Sequence, residues 1–261
     1  MPITQLVSVR GVMAIALTLA IVRALGLHGQ IPHLANRNVG LRVILDCTTT
    51  LLYLGSLMHL PIGNATAINL ASPLIIAMLA VPMLGEHPGP RRWLAIAAGF
   101  AGVVMVIKPD VDGFNAWSLM CLAATFTQSL RDLLTRWIPP HVPGLLITLA
   151  SITFITSVAT VATFAQGWTP VSATDVAVLA GAAVLLISGY YLIIQSVREG
   201  EMSVISPFRY AGLLVALVAG YLTFGEVPDA LAWAGIALLF AAGIYLLHEE
   251  RRRRDDDLPA A

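Results

Sequence analysis

Gly85-Glu86-His87-Pro88, with Trp93 and Phe100-Ala101 behind it, returns later in the chain as Gly225-Glu226-Val227-Pro228, then Trp233 and Phe240-Ala241. Every match sits at the same offset, about 140 residues. Outward from this stretch, the likeness runs weakly over about residues 50–110. The chain is 57% hydrophobic and 11% charged, whereas soluble domains carry about 25% charged residues. A repeat in so apolar a chain points to a duplicated membrane bundle, the architecture of many transporters.

A membrane-crossing helix needs about 20 apolar residues. The sequence predicts nine, over about 3–27, 41–61, 64–84, 89–108, 114–138, 144–166, 175–197, 202–224 and 229–248. Breakers mark most boundaries: Pro61-Ile62-Gly63, Gly85 through Pro90, and Pro139-Pro140 with Pro143. Arg10 and Arg23 leave only Gly11 to Val22 uninterrupted in the first span, a length suited to a signal peptide. Its match to 144–166 at the repeat offset favours a retained helix. Cys47 and Cys121 lie inside apolar runs and read as packing residues, with no disulfide framework or metal site expected.

Arginines set the expected orientation. With Arg251 to Arg254 in the cytoplasm, alternate loops and helix ends on that side hold Arg198, Arg136, Arg91, Arg92, Arg37, Arg42 and Arg23. The opposite loops hold Lys108 beside Asp110 and Asp112. The C-terminus is therefore expected to be cytoplasmic.

Shifting the second half back by the offset lays 144–166 on the first span and puts 114–138 before Met1. The expected organisation is a first repeat of four helices over 1–113, a second of five over 114–249, and a charged tail over 250–261. Five helices per repeat make the two copies insert with opposite orientation.

At this point the chain resembles the EamA branch of the drug/metabolite transporter superfamily. The residues that carry the resemblance are Gln5-Leu6-Val7 with Arg10, Asn64-Ala65-Thr66-Ala67 through Ala71-Ser72-Pro73-Leu74, Gly85-Glu86 and Gly99-Phe100-Ala101-Gly102. In the second half they are Ser206-Pro207-Phe208-Arg209-Tyr210 and Gly220 through Glu226. The resemblance implies an all-α integral membrane fold: a ten-helix bundle of two inverted repeats, here without helix one. It also implies secondary transport of a small organic metabolite, amino-acid-like or drug-like, across the bacterial inner membrane.

Ionisable residues within spans are costly, which makes them functional candidates. Arg209 sits roughly 10 Å into its helix at 1.5 Å per residue, behind the bend expected at Pro207. With Tyr210 it suits a carboxylate-bearing ligand; the plainer reading is an arginine snorkelling to headgroups. Arg10 carries the same two readings near the outer face. Asp46 is a candidate for proton or ion coupling, or for an ion pair with an arginine. Arg131 and Asp132 are expected to point apart, with Asp132 pairing Arg136 four residues on. Asn69, Gln128, Tyr190 and Tyr191 are expected to line a substrate cavity, against the alternative of interhelical hydrogen bonds and an aromatic belt. Glu86 and Glu226 are explained by helix capping.

No nucleotide-binding loop is present, so the expected mechanism is alternating access between repeats around a midplane site. No cofactor, metal or nucleic acid is expected; the partners are the small-molecule substrate, the lipid bilayer and, through the smooth helices 89–108 and 229–248, a second copy of the chain. One rival is a truncated or partner-dependent subunit without transport of its own. The other, an integral-membrane enzyme, lacks a supporting cluster: the six histidines are scattered, and the chain is not expected to be an enzyme.

Overall fold

The computed structural model describes residues 2–84, 89–107, 116–199, 212, 215–225 and 227–257. All secondary structure among them is helical: α1 (Ile3–Ala24), a short 3-10 helix (Leu27–Leu34), α2 (Arg37–Leu57), α3 (Ile62–Asn69), α4 (Ser72–Leu84), α5 (Pro90–Ile107), α6 (Ala116–Thr135), α7 (Gly144–Gln166), α8 (Ala173–Glu199), α9 (Val215–Phe224) and α10 (Ala230–Asp257). Four described stretches are long and apolar enough to cross a membrane: Ile3–Ala24, Ile62–Met83, Gly144–Gln166 and Ala173–Leu192. Shorter apolar helices cover Trp93–Ile107, Val215–Phe224 and Ala230–Leu246. At 21 and 20 residues, α2 and α6 have comparable length. They are less apolar because they carry Arg42, Asp46, Arg131 and Asp132.

Local chemistry explains the helix ends. Both α1 and α7 are entered through a proline in extended conformation, Pro2 and Pro143, which lacks the donor a helix interior needs. Both are left through a glycine at positive φ, Gly26 at 68° and Gly167 at 93°, a conformation costly for any residue with a Cβ. The expected span over 64–84 is broken into α3 and α4. Pro73 removes the donor that would bond the Asn69 carbonyl, and the chain tightens there, with Ala71 N–H bonding the Ile68 carbonyl at 3.0 Å.

The chain divides into two compact units, Met1–Thr50 with Arg131–Gly200, and Leu51–Leu130 with Glu201–Ala261. The divisions fall inside α2 and α6. Each unit therefore draws helices from both sides of residue 113.

In the first unit α1 packs chiefly on α7. The pairing is polar toward the N-terminal end of α1. Gln5, fully buried, donates to the Thr169 carbonyl at 2.7 Å, and Ser8 Oγ meets Thr163 Oγ1 at 3.3 Å. Further along, Ala14 lies in an apolar cluster with Ile152, Ala183 and Ile187. The partners on α7 descend as those on α1 ascend, so the two helices run antiparallel. Gly11 makes the approach possible, because a Cβ there would collide with the Thr156 side chain. Gly11→Val is expected to lower the unfolding temperature in detergent through an overpacking cost of about 1–3 kcal/mol. Thr156→Ala in the same chain is expected to return part of it.

In the second unit α5 packs chiefly on α10, around an apolar core that includes Ile68, Leu74, Val103, Ile236 and Leu239. Small residues bring these helices together, as in membrane bundles generally. A Cβ on Gly102 would lie 2.7 Å from the Gly235 carbonyl oxygen and 3.1 Å from Leu239, and one on Gly99 would lie 3.2 Å from Ala242 Cβ. Large apolar side chains remain exposed, among them Val161, Phe164, Leu185 and Leu222, each at 72–75%. Such an outward surface suits lipid rather than water.

Candidate functional site

The first unit holds a buried charged network built by four helices. Arg42 and Asp46 are one turn apart on α2, and Arg131, Asp132 and Thr135 lie along the end of α6. Ser151 comes from α7 and Tyr190 from α8. Asp46 has no solvent exposure. Its Oδ1 accepts a hydrogen bond from Arg131 Nη1 and lies 3.3 Å from the Tyr190 hydroxyl, which donates to it. Its Oδ2 lies 3.7 Å from Arg42 Nη1 and makes no hydrogen bond. Arg42 is held by hydroxyls as well as by charge, with Nε donating to Thr135 Oγ1 at 3.0 Å and Nη1 to Ser151 Oγ at 2.8 Å. Thr135 in turn donates to the Arg131 carbonyl at 2.8 Å.

Two cations and two anions thus share a small volume away from water. Burying such charges is expensive, and only close pairing with satisfied hydrogen bonds offsets the loss of hydration. The low local dielectric strengthens each contact and makes any unpaired member correspondingly costly.

Arg131 corrects one expectation. It does not point away from Asp132: its Nε and Nη2 donate to Asp132 Oδ1 at 3.1 and 2.8 Å. Adjacent Cβ atoms do diverge on a helix, but the arginine stem is long enough to curl back and bridge Asp132 to Asp46. Arg136 is exposed. The sequence reading missed Arg42 and Arg131 as members of this network. In the sequence Arg42 reads as part of the cytoplasmic arginine excess, although its four-residue spacing from Asp46 is a usable signal.

Other predicted residues are placed as follows. Tyr191 is 41% exposed, one position from Tyr190 and so on a different side of α8. Arg10, on α1, is partly buried, and its Nε has no hydrogen-bond partner. It lies within electrostatic range of Tyr190. Asn69 and Gln128 belong to the second unit and bond each other reciprocally: Asn69 Nδ2 to Gln128 Oε1 at 3.3 Å, and Gln128 Nε2 to Asn69 Oδ1 at 3.0 Å. Beside them Ser129 Oγ donates to Ser72 Oγ at 3.0 Å, so α6 is laced to the break between α3 and α4. The same unit contains a cavity of about 310 Å³ with Asn64 and Asp229 among its lining residues. Arg209, Tyr210, Glu86 and Glu226 lie outside the described residues.

Residues 1–108 match the EamA-like transporter family. A riboflavin transporter of Rhizobium johnstonii is 27% identical, over 92% of this chain and 79% of its own length. An S-adenosylmethionine uptake transporter of Rickettsia bellii is 25% identical over 74% of this chain and 66% of its own length. A pseudopaline exporter of Pseudomonas aeruginosa is 24% identical over 94% and 86%. One solved crystal structure superposes with a TM-score of 0.67 at 15% identity, covering 97% of this chain and 89% of the other, so the fold is shared. These relatives carry small molecules and none of the three is named as an enzyme. Residues 1–108 thus carry an EamA-like transporter domain, and the chain, with four helices among the described residues long and apolar enough to cross a membrane, is similar over most of its length to bacterial transporters of small molecules.

Proposed function

We propose that this chain is a proton-coupled secondary transporter of a small polar organic metabolite, working by alternating access. The observation that carries the reading is Asp46, a carboxylate without solvent exposure that is bridged to α6 through Arg131. Charged residues at the centre of a span cost about 2.5–3.5 kcal/mol each on insertion scales, and such residues mark transport pathways by default. Ionised, Asp46 holds Arg131 and so ties α2 to α6. Protonated, it releases that charge, and Arg131 keeps Asp132 on its own helix. A proton then biases an element with two arrangements, which is what coupling requires.

Helix packing supports two inverted repeats. Gly99 meets Ala242, and Gly102 meets Leu239. At the offset of the sequence repeat, Leu239 is the counterpart of Gly99 and Ala242 of Gly102. Residue i of one copy thus meets residue j of the other, and j meets i, as across a two-fold axis. The α1–α7 pair is likewise antiparallel, and Ala14 shares a buried cluster with Ile152, two residues from its repeat counterpart Phe154. Repeats related in this way can rock to alternate access. The charged tail is placed in the cytoplasm on the arginine count. Arg209, Tyr210, Tyr191 and the Asn69–Gln128 pair are each kept as proposed substrate contacts.

The test is transport by purified protein in liposomes, with labelled riboflavin and labelled S-adenosylmethionine as probes and a pH gradient imposed in either direction. Asp46→Asn is expected to lose gradient-driven accumulation at least about tenfold while keeping substrate exchange at equal pH, since exchange needs no net proton movement. Undiminished accumulation by Asp46→Asn would remove Asp46 from the coupling step. The absence of saturable exchange for either probe in the wild type would count against the transporter reading.

A further inference from the structure

We propose that Arg10 is the anion-binding residue of this transporter, and that the carried molecule brings one carboxylate-type group to the Arg10 guanidinium beside Tyr190. This rests on the transporter reading above and names a substrate class for it.

Arg42 and Arg131 pair with Asp46 and Asp132 beside Tyr190, and Arg10, partly buried on α1, lies within electrostatic range of the same tyrosine. Among these described side chains three carry positive charge and two negative. Arg42 and Arg131 are committed to named oxygen partners. Asp46 serves both of those arginines, and Asp132 is bonded by Arg131. Among the described residues Arg10 is the arginine of the three whose Nε is buried without a hydrogen-bond partner.

Arg10 stands seven residues beyond Ile3, at the start of α1, or roughly 10 Å along the helix. Its neighbours Val7, Gly11 and Ala14 are buried, so this part of α1 is packed inside the unit. A snorkelling arginine carries its whole guanidinium to headgroups or water. An arginine with its Nε sealed and unbonded does not fit that description. It lacks a partner that its fork is shaped to take: a carboxylate accepting from Nε and a terminal nitrogen together. A ligand bound there would bring a negative charge to Arg10 and satisfy the orphaned donor in one step.

The experiment is thermal unfolding of the purified full chain in detergent, with sodium acetate as the carboxylate probe and sodium chloride as the reference at equal ionic strength. At about 100 mM, acetate is expected to raise the wild-type unfolding temperature by roughly 3 °C over chloride, and to do so saturably. Arg10→Gln is expected to abolish the difference, and Arg10→Lys to keep part of it as a point charge. Without acetate, Arg10→Gln is expected to unfold no lower than the wild type, because it loses an unpaired charge rather than a contact. The proposal is overturned by equal acetate effects in the wild type and Arg10→Gln, by no acetate effect in the wild type, or by chloride acting as well as acetate. Failure of the transporter reading is separate from all of these: it would appear as absent exchange in wild-type liposomes while acetate binding still depended on Arg10.

Discussion

Arg131→Met is expected to lower the unfolding temperature by roughly 10 °C. The change leaves Asp46 fully buried with its closest cation gone and, among the described residues, Arg42, at 3.7 Å, and the Tyr190 hydroxyl nearby. Asp132 loses a partner in the same step. Breaking a buried pair by removing one member costs about 3–5 kcal/mol, because the remaining charge has no water to replace its closest counterion. For a chain of this size each kcal/mol moves the midpoint by about 2–4 °C. The check is thermal unfolding of the purified variant beside Arg136→Met, which removes an exposed arginine from the next turn and is expected to stay within about 0.5 kcal/mol of the wild type. Asp46→Asn combined with Arg131→Gln should recover much of the loss, since a neutral amide pair has less hydration to replace. A double variant no more stable than Arg131→Met alone would show that the ion pair is not the source of the effect.

The membrane class, most helix positions and the family resemblance were legible in the sequence because they follow from one-dimensional signals. Apolar runs, breakers such as Pro143, and matches at a fixed offset need no knowledge of contacts. The break at Asn69–Ser72 was half legible: Pro73 was visible, but that it divides one span into α3 and α4 depends on how the turn before it tightens. The charged network was the least legible part. Asp46 and Tyr190 were each singled out alone, yet nothing along the chain says that residues 46, 131 and 190 share one interior. Arg42 was hidden by its position near a helix end, where an arginine ordinarily reports orientation. Arg131 was hidden by an argument from Cβ direction that does not bind a side chain this long.

Gly102→Val is expected to be nearly as damaging as Arg131→Met, for a steric reason rather than an electrostatic one. Its Cβ would lie 2.7 Å from the Gly235 carbonyl oxygen, and a Cβ on Gly235 would lie 2.6 Å from the Gly102 carbonyl oxygen. The two backbones meet with nothing between them. At Gly11 the obstacle is the Thr156 side chain, which a second substitution can shorten. At Gly102 the obstacle is backbone on a residue that is already glycine, so no second substitution on α10 makes room there and the helices must separate. Separation would also loosen Val103, Ile236 and Leu239, which belong to one buried cluster. Ordinary overpacking costs about 1–3 kcal/mol; loss of the surrounding contacts brings the expected cost to at least about 3 kcal/mol, since membrane helices associate through such close packing. Gly40→Ala is the control. Gly40 is exposed on α2 with nothing within 4 Å of a Cβ, so alanine should be neutral or stabilising by about 0.5–1 kcal/mol. Thermal unfolding should rank Gly102→Val well below Gly11→Val with Thr156→Ala, and Gly40→Ala at or above the wild type. If the α5–α10 contact is the axis on which the repeats turn, any Gly102→Val protein that still folds should also lose exchange in liposomes, while Gly40→Ala keeps it.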